Sequence, residues 1–393
     1  MHYTPFEPPP LLRNGFLMTV YTALWEGQRW QATVPLPDPP CQTAVFKGMD
    51  DVPLWGWYAL PQTAAPAQEN VQRQSQASSQ SPAAQPSTSC PGTLISTYGI
   101  TGSLADQWLL SLLARKAYHR GFGIVAFDWR AHGKTAELSP TLTSDGLFEG
   151  YDFVHIAAQA KARGCPPPFW FVSYSLGGQL ALWGNKAAED KAVRQRLGLA
   201  DGDIGGAAVI CPSLESNRSL AYLEAHPLGR YLERAMTQGL VQQAWRIHAA
   251  HPNHVDPAAI ARATTIRGFD QELVISRLGF ASTAAYYDAT SPLYFLPHLT
   301  RPTLIIYAED DPIFHPSLVN DLGAIAAQNP ALDLRLTQYG GHVGYLSSAR
   351  FQRAMGDPDP WWAWNRLLDW CDRQSQGPTT PVPPAPGIES PLD

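Results

Sequence analysis

The chain has 393 residues, 45% of them hydrophobic, so it can bury a sizeable core in one large domain or two. Charged residues make up 16% and the formal net charge is −6 with no dense Lys/Arg block, so the electrostatic footprint of a nucleic-acid partner is missing. The most apolar run, Phe16 to Trp25, stops at Glu26 after about ten residues, short of the roughly 18 that a membrane span needs.

No basic region opens the chain and no A-x-A-like site follows that run, so a secretory signal is not expected. The five cysteines, Cys41, Cys90, Cys165, Cys211 and Cys371, are odd in number, widely spaced and lack a C-x-x-C pair. Neither a disulfide framework nor a zinc site is indicated, and a reducing cytoplasm is the expected location. Of 11 histidines only His248, His251 and His254 cluster, without acidic or thiol partners, and no metal is expected there.

In chain order, alternating segments near Trp30 to Pro35, Gln42 to Phe46 and Pro53 to Leu60 predict antiparallel strands at one sheet edge. Residues 62–90 are almost all Ala, Gln, Ser, Pro and Thr, a composition that reads as a disordered insert. Beyond it, short apolar runs alternate with helical patterns. Thr93 to Tyr98, Gly123 to Phe127, Phe169 to Tyr174, Gly206 to Cys211, Thr303 to Tyr307 and Leu332 to Thr337 read as buried strands. Leu109 to Tyr118 and Pro316 to Ala327 read as helices between them. The fold class is therefore α/β, with a mostly parallel central sheet covered by helices on both faces.

About 90 residues separate the strand ending at Cys211 from the one starting at Thr303, far more than a single crossover requires. Leu232, Met236, Leu240, Val241, Ala244 and Ile247 recur there at helical spacing, so a helical cap over about 212–298 is expected. The four tryptophans Trp361, Trp362, Trp364 and Trp370 load the last helix, where packing on the sheet is expected over membrane contact. The expected organisation is one domain over 1–375 followed by a Pro-rich disordered tail, 376–393.

The chemistry concentrates at Phe171-Val172-Ser173-Tyr174-Ser175-Leu176-Gly177-Gly178, where an apolar strand runs through a small-residue turn into a helix. That is the context of a nucleophile elbow, although a serine turn followed by glycines is also simply a tight turn. A serine hydroxyl needs a base oriented by a third group, so Asp and His should follow at later strand ends. The Thr303 strand delivers Asp310-Asp311-Pro312 and the Leu332 strand delivers Gly340-Gly341-His342, completing the chain order Ser175, Asp311, His342. Asp310 is the rival acid, and His132 is read as structural because it precedes the elbow. The backbone N–H of Leu176 and that of Ile100, in the small-residue loop Gly99 to Ser103, are the candidate oxyanion donors. That loop lacks the Lys of a phosphate-binding P-loop.

Together these stretches resemble the YheT-like branch of the α/β-hydrolase superfamily, which is similar to abhydrolase-domain esterases and lipases. The resemblance also rests on Leu12 to Phe16, Phe127 to Gly133, Ile266 to Asp270, Tyr286-Tyr287 and Gly340 to Gly344, spanning about residues 10 to 372. It implies hydrolysis of carboxylic esters with Ser175 as nucleophile, Asp311 as acid, His342 as base and no cofactor. Two departures stand out: Ser173 replaces the first elbow glycine, and Tyr98 stands where the family often has His. The expected partner is a small-molecule ester or lipid, such as a short- or medium-chain acyl ester or a monoacylglycerol. Peripheral membrane contact and the oligomeric state stay open, as do transfer of the acyl group to another acceptor and a non-catalytic binding scaffold.

Overall fold

Residues 3–62 and 90–377 are described by a computed structural model. An N-terminal helix, α1 (Gly15–Leu24), starts where the Asn14 side chain accepts from the Leu17 N–H at 3.0 Å. Strands β1 (Gln42–Lys47), β2 (Pro53–Ala59) and β3 (Thr93–Ser96) precede helix α2 (Trp108–His119) and strand β4 (Gly123–Phe127). Helix α3 (Glu149–Ala162) leads to β5 (Phe169–Tyr174), which passes without a linker into α4 (Ser175–Ala187). After β6 (Ile204–Ile210) come α5 (Ser216–Ala225) and α6 (Pro227–Ala250). The chain closes with β7 (Thr303–Ala308), α7 (Leu318–Gln328), β8 (Leu332–Thr337) and α8 (Trp362–Ser375).

The eight strands form one sheet in the order β1-β2-β4-β3-β5-β6-β7-β8. β2 pairs antiparallel with β1 and β4, and the run from β4 to β8 is parallel. β3, β4, β5 and β7 are buried along their whole length, as continuous apolar strands between two helical layers must be. From β3 the chain moves to β4 on one side and to β5 on the other. The crevice at the C-terminal ends of β3 and β5 is therefore the switch point where such sheets bind ligands.

One edge expectation fails. Trp30 to Pro35 is not a strand: Trp30–Thr33 is a helical turn. Trp30 and Val34 are both buried, and four residues apart they share one helix face. Over so short a segment, that i, i+4 pair was indistinguishable from alternation. Trp362, Trp364 and Trp370 of the last helix, and Trp361 just before it, are all buried. The expected insert at 62–90 and tail at 376–393 lie, apart from their edges, outside the described residues.

Between β6 and β7 the chain is helical. α5 and α6 are joined by shorter helices at Pro257–Arg262, Ile266–Phe269, Ile275–Leu278 and Thr283–Thr290. Leu220, Leu240, Ala244, Ile247, Phe269 and Tyr286 gather there into an apolar cluster separate from the sheet core, which Ala131, Ala136 and Leu142 join from the loop after β4. Burial of this cluster is what seats the helices over the C-terminal edge of the sheet. Among the described residues no helix is long and apolar enough to cross a membrane.

Candidate active site

Ser175 sits at the junction of β5 and α4 with φ at +55°, a left-handed conformation that costs a non-glycine residue strain. The turn is possible because its neighbours are small. A Cβ on Gly177 would lie 2.3 Å from the Tyr98 carbonyl oxygen and 2.4 Å from Ser173 Oγ. Ser173, in place of the first elbow glycine, is accommodated because its hydroxyl donates to the Thr97 carbonyl at 2.6 Å. The departure from the family pattern thus adds a bond between β5 and the end of β3.

His342 Nε2 lies 2.8 Å from Ser175 Oγ, and His342 Nδ1 lies 2.8 Å from Asp311 Oδ2. The other Asp311 oxygen accepts from the Ile313 N–H at 2.9 Å, so the carboxylate is fixed at both ends. Asp310 points elsewhere: its Oδ1 accepts from the Gly341 N–H at 2.8 Å, while burial pushes its carboxyl up to about 6. Of the two adjacent acids, only Asp311 meets the imidazole. The loop that returns His342 is tightly folded, with Gly340, Gly341, Val343 and Tyr345 all at positive φ. It rests on α1, where Thr19 Oγ1 accepts from the His342 backbone N–H at 2.8 Å.

The loop after β3 is clamped from three sides. Tyr98, where the family often has His, donates its hydroxyl to Asp128 Oδ1 at 2.5 Å, and the same oxygen accepts from the Leu104 N–H at 2.8 Å. Gln107 Nε2 donates to the Thr101 carbonyl at 3.0 Å, and Tyr174 holds the other end of that amide with a 2.8 Å bond from its hydroxyl. His132 Nε2 lies 2.8 Å from the Ile100 carbonyl, with its ring stacked on Trp129 at 3.5 Å. Burial pushes His132 down to about 4, against the opposing pull of the Ile100 and Arg130 carbonyls. His132 bonds the very residue named as an oxyanion donor, while it is His342 that meets Ser175.

Ser175, Leu176, Ile100 and His342 line one cavity of about 410 Å³ that runs beneath the cap helices. Most of its wall is apolar, with Leu220, Leu223, Met236, Leu240, Ile266 and Phe314 among its lining. The Leu176 N–H belongs to the first turn of α4, where backbone donors have no partner within the helix. Two buried acids, Asp145 and Asp270, also face this cavity. Sequence reasoning missed Thr19, Gln107 and Asp145. Asp270 and Tyr287 were visible only as parts of resembling stretches without a role.

Among the described residues His248, His251 and His254 do not gather their donor atoms into one cluster. His248 Nδ1 lies 2.8 Å from the Val255 carbonyl, and the rings of His251 and His254 are 6.1 Å apart. Among the described residues, the donor atoms of Cys211, Asp311 and His342 do come within 4.8 Å of one another. That group does not suit a metal, because Asp311 and His342 already bond each other and burial pushes the Cys211 thiol well up, keeping it protonated.

Residues 90–354 match the family model described as "Alpha/beta hydrolase family". A Synechocystis sp. protein named "Putative esterase slr0264" is 48% identical over 375 residues, which cover 94% of this chain and 95% of that protein. The Escherichia coli protein "Putative esterase YheT" is 29% identical over 203 residues, covering 51% of this chain and 53% of its own length. Among solved structures, a Mycobacterium tuberculosis puromycin-hydrolyzing peptidase shares the fold at a TM-score of 0.50 and 14% identity. That match covers 86% of this chain and 40% of the peptidase. With its sheet order, its strand-end serine and these relatives in agreement, the chain belongs to the α/β hydrolase family.

Proposed function

We propose that the protein is a serine hydrolase that cleaves carboxylic esters through an acyl-enzyme. The observation that carries this reading is the unbroken chain from Asp311 through His342 to Ser175, with both links at 2.8 Å, opening into an apolar cavity. His342 Nε2 takes the proton from Ser175 Oγ as that oxygen attacks the ester carbonyl, and Asp311 orients the ring and stabilises the imidazolium. The N–H groups of Leu176 and Ile100 stabilise the developing oxyanion. Breakdown of the tetrahedral intermediate expels the alcohol, which takes the proton from His342. Water then attacks the acyl-enzyme with His342 as base, returning the serine and releasing the acid.

The apolar lining supports a hydrophobic acyl group of short or medium length, with monoacylglycerols within the class. We assign the fold to a single domain over about 1–375 with a cap at about 212–298. All five cysteines are free, which fits a reducing cytoplasm. A fluorescent fluorophosphonate should label the wild type and leave Ser175→Ala unlabelled. A series of p-nitrophenyl esters then reads the chain-length preference. Folded wild type that neither takes up the probe nor turns over any ester of the series would refute the reading.

A further inference from the structure

The cavity beside Ser175 is mostly apolar, and it carries two carboxyls that ester cleavage does not use. Asp145, in the loop before α3, and Asp270, in the cap, both line it and are 7% and 6% exposed. Each carboxyl is held by one oxygen only. Asp145 Oδ1 accepts from Thr143 Oγ1 at 3.1 Å, and Asp270 Oδ2 accepts from the Tyr287 hydroxyl at 2.5 Å. The second oxygen of Asp270 has no hydrogen-bond donor among the described residues, and at Asp145 the buried Tyr286 hydroxyl lies beside the carboxyl.

Among the described residues no Lys or Arg lines the cavity. Arg267 lies outside it, with its guanidinium over the Tyr287 ring at 5.3 Å. Behind Asp145, Glu149 is also buried, and it accepts from the Ser144 and Gly146 N–H groups at 2.9 Å each. Acids therefore outnumber bases around this part of the cavity. Burial, and then their neighbouring acids, push Asp145 up to about 6 and Asp270 well above the usual carboxylate range. A buried carboxylate without a cation is costly, and an entering cation would remove that cost. Trp129 and Tyr287 line the same space, and aromatic rings attract cations.

We propose that Asp145 and Asp270 form a cation subsite in the substrate cavity, so that the preferred ester carries an alkylammonium group. This rests on the serine-hydrolase reading and narrows its substrate class. The ammonium group sits between the two carboxyls with its methyl or methylene carbons against the aromatic and aliphatic wall. The ester carbonyl lies at Ser175. The ammonium can belong to the alcohol or to the acyl half of the ester.

The test uses the rate of fluorophosphonate labelling, which depends on Ser175 and on no chosen substrate. Choline and its uncharged carbon analogue, 3,3-dimethylbutan-1-ol, compete for the cavity at equal size. Choline should protect Ser175 at a concentration about tenfold or more below that of the analogue. That ratio should fall towards one in Asp145→Asn and Asp270→Asn. The ratio is taken within each variant, so a change in basal labelling cancels, and the wild-type comparison stands even if a variant does not fold. Equal protection by the two compounds, with labelling intact, overturns the subsite and leaves the serine-hydrolase reading standing. Absence of labelling in folded wild type overturns both.

Two ester pairs locate the ammonium: butyrylcholine against 3,3-dimethylbutyl butyrate, and ethyl 4-(trimethylammonio)butyrate against ethyl 5,5-dimethylhexanoate. A preference of about tenfold for the charged member of either pair supports the subsite and assigns it to that half of the ester. Preference in neither pair overturns it.

Discussion

The backbone N–H of His342 donates to Thr19 Oγ1 at 2.8 Å, and Thr19 Oγ1 in turn donates to the Gly15 carbonyl at 2.7 Å. The N-terminal helix thus holds the loop that carries the imidazole, across nearly the whole length of the chain. Thr19→Val keeps the shape and removes both bonds. It should lower kcat on an active ester about tenfold with little change in KM, near the 1.4 kcal/mol of a lost hydrogen bond. Thr19→Ser should restore the rate. Equal kcat in wild type and Thr19→Val would show that the loop holds its place without the helix.

Asp310 and Asp311 are adjacent but do different work. Asp311→Asn should lower kcat by about three to four orders of magnitude, because the amide cannot hold the tautomer that accepts the serine proton. Asp310→Asn keeps an acceptor for the Gly341 N–H and should stay within a few-fold of wild type. Its stability should change with pH in a defined sense. Burial raises the folded pKa of Asp310 to about 6, so the fold prefers the neutral acid and the ionised form destabilises it above that pH. Asp310→Asn should therefore have a higher Tm than wild type at pH 8, a gap that narrows as pH falls through 6 towards 4. A gap that widens on acidification would reverse the assignment.

His132 titrates in the opposite sense. Burial lowers its folded pKa to about 4, so between the unfolded value of about 6.5 and pH 4 the unfolded chain binds a proton that the folded chain does not. Stability falls as the pH is lowered across that window, by about 1.4 kcal/mol per unit at most for one such group. Other acids titrate there too, so the contribution is read as the difference between wild type and His132→Gln in urea titrations at pH 7 and pH 4.5. The wild type should lose more stability than the variant on acidification. Equal losses would mean that the buried ring is protonated in the fold.

Gly177 has no room for a side chain, since its Cβ would meet the Tyr98 carbonyl oxygen at 2.3 Å. Gly177→Ala should push the oxyanion loop away from Ser175 and reduce fluorophosphonate labelling at least a hundredfold, with a loss of about 1–3 kcal/mol in stability from overpacking. At Gly202 a Cβ meets nothing within 4 Å, so Gly202→Ala is the control and should label like wild type. Unimpaired labelling of Gly177→Ala would show that the elbow relaxes without loss.

The strands of the parallel sheet, the run from strand through Ser175 into α4, and the positions of Asp311 and His342 after β7 and β8 were all legible in the sequence alone. Each is carried by a contiguous stretch whose apolar run, glycine or proline acts on its own neighbours. The tertiary structure decided the rest. Which of Asp310 and Asp311 faces the imidazole depends on how the turn after β7 is held against the His342 loop. Adjacent side chains in such a turn point apart, and composition does not distinguish them. The hold of Thr19 on His342 and of His132 on Ile100, and the placing of Asp145 and Asp270 on one cavity, join residues that are distant in sequence. Only the closure of the sheet and the seating of the cap bring these pairs within reach, and no local pattern records a contact made across that distance.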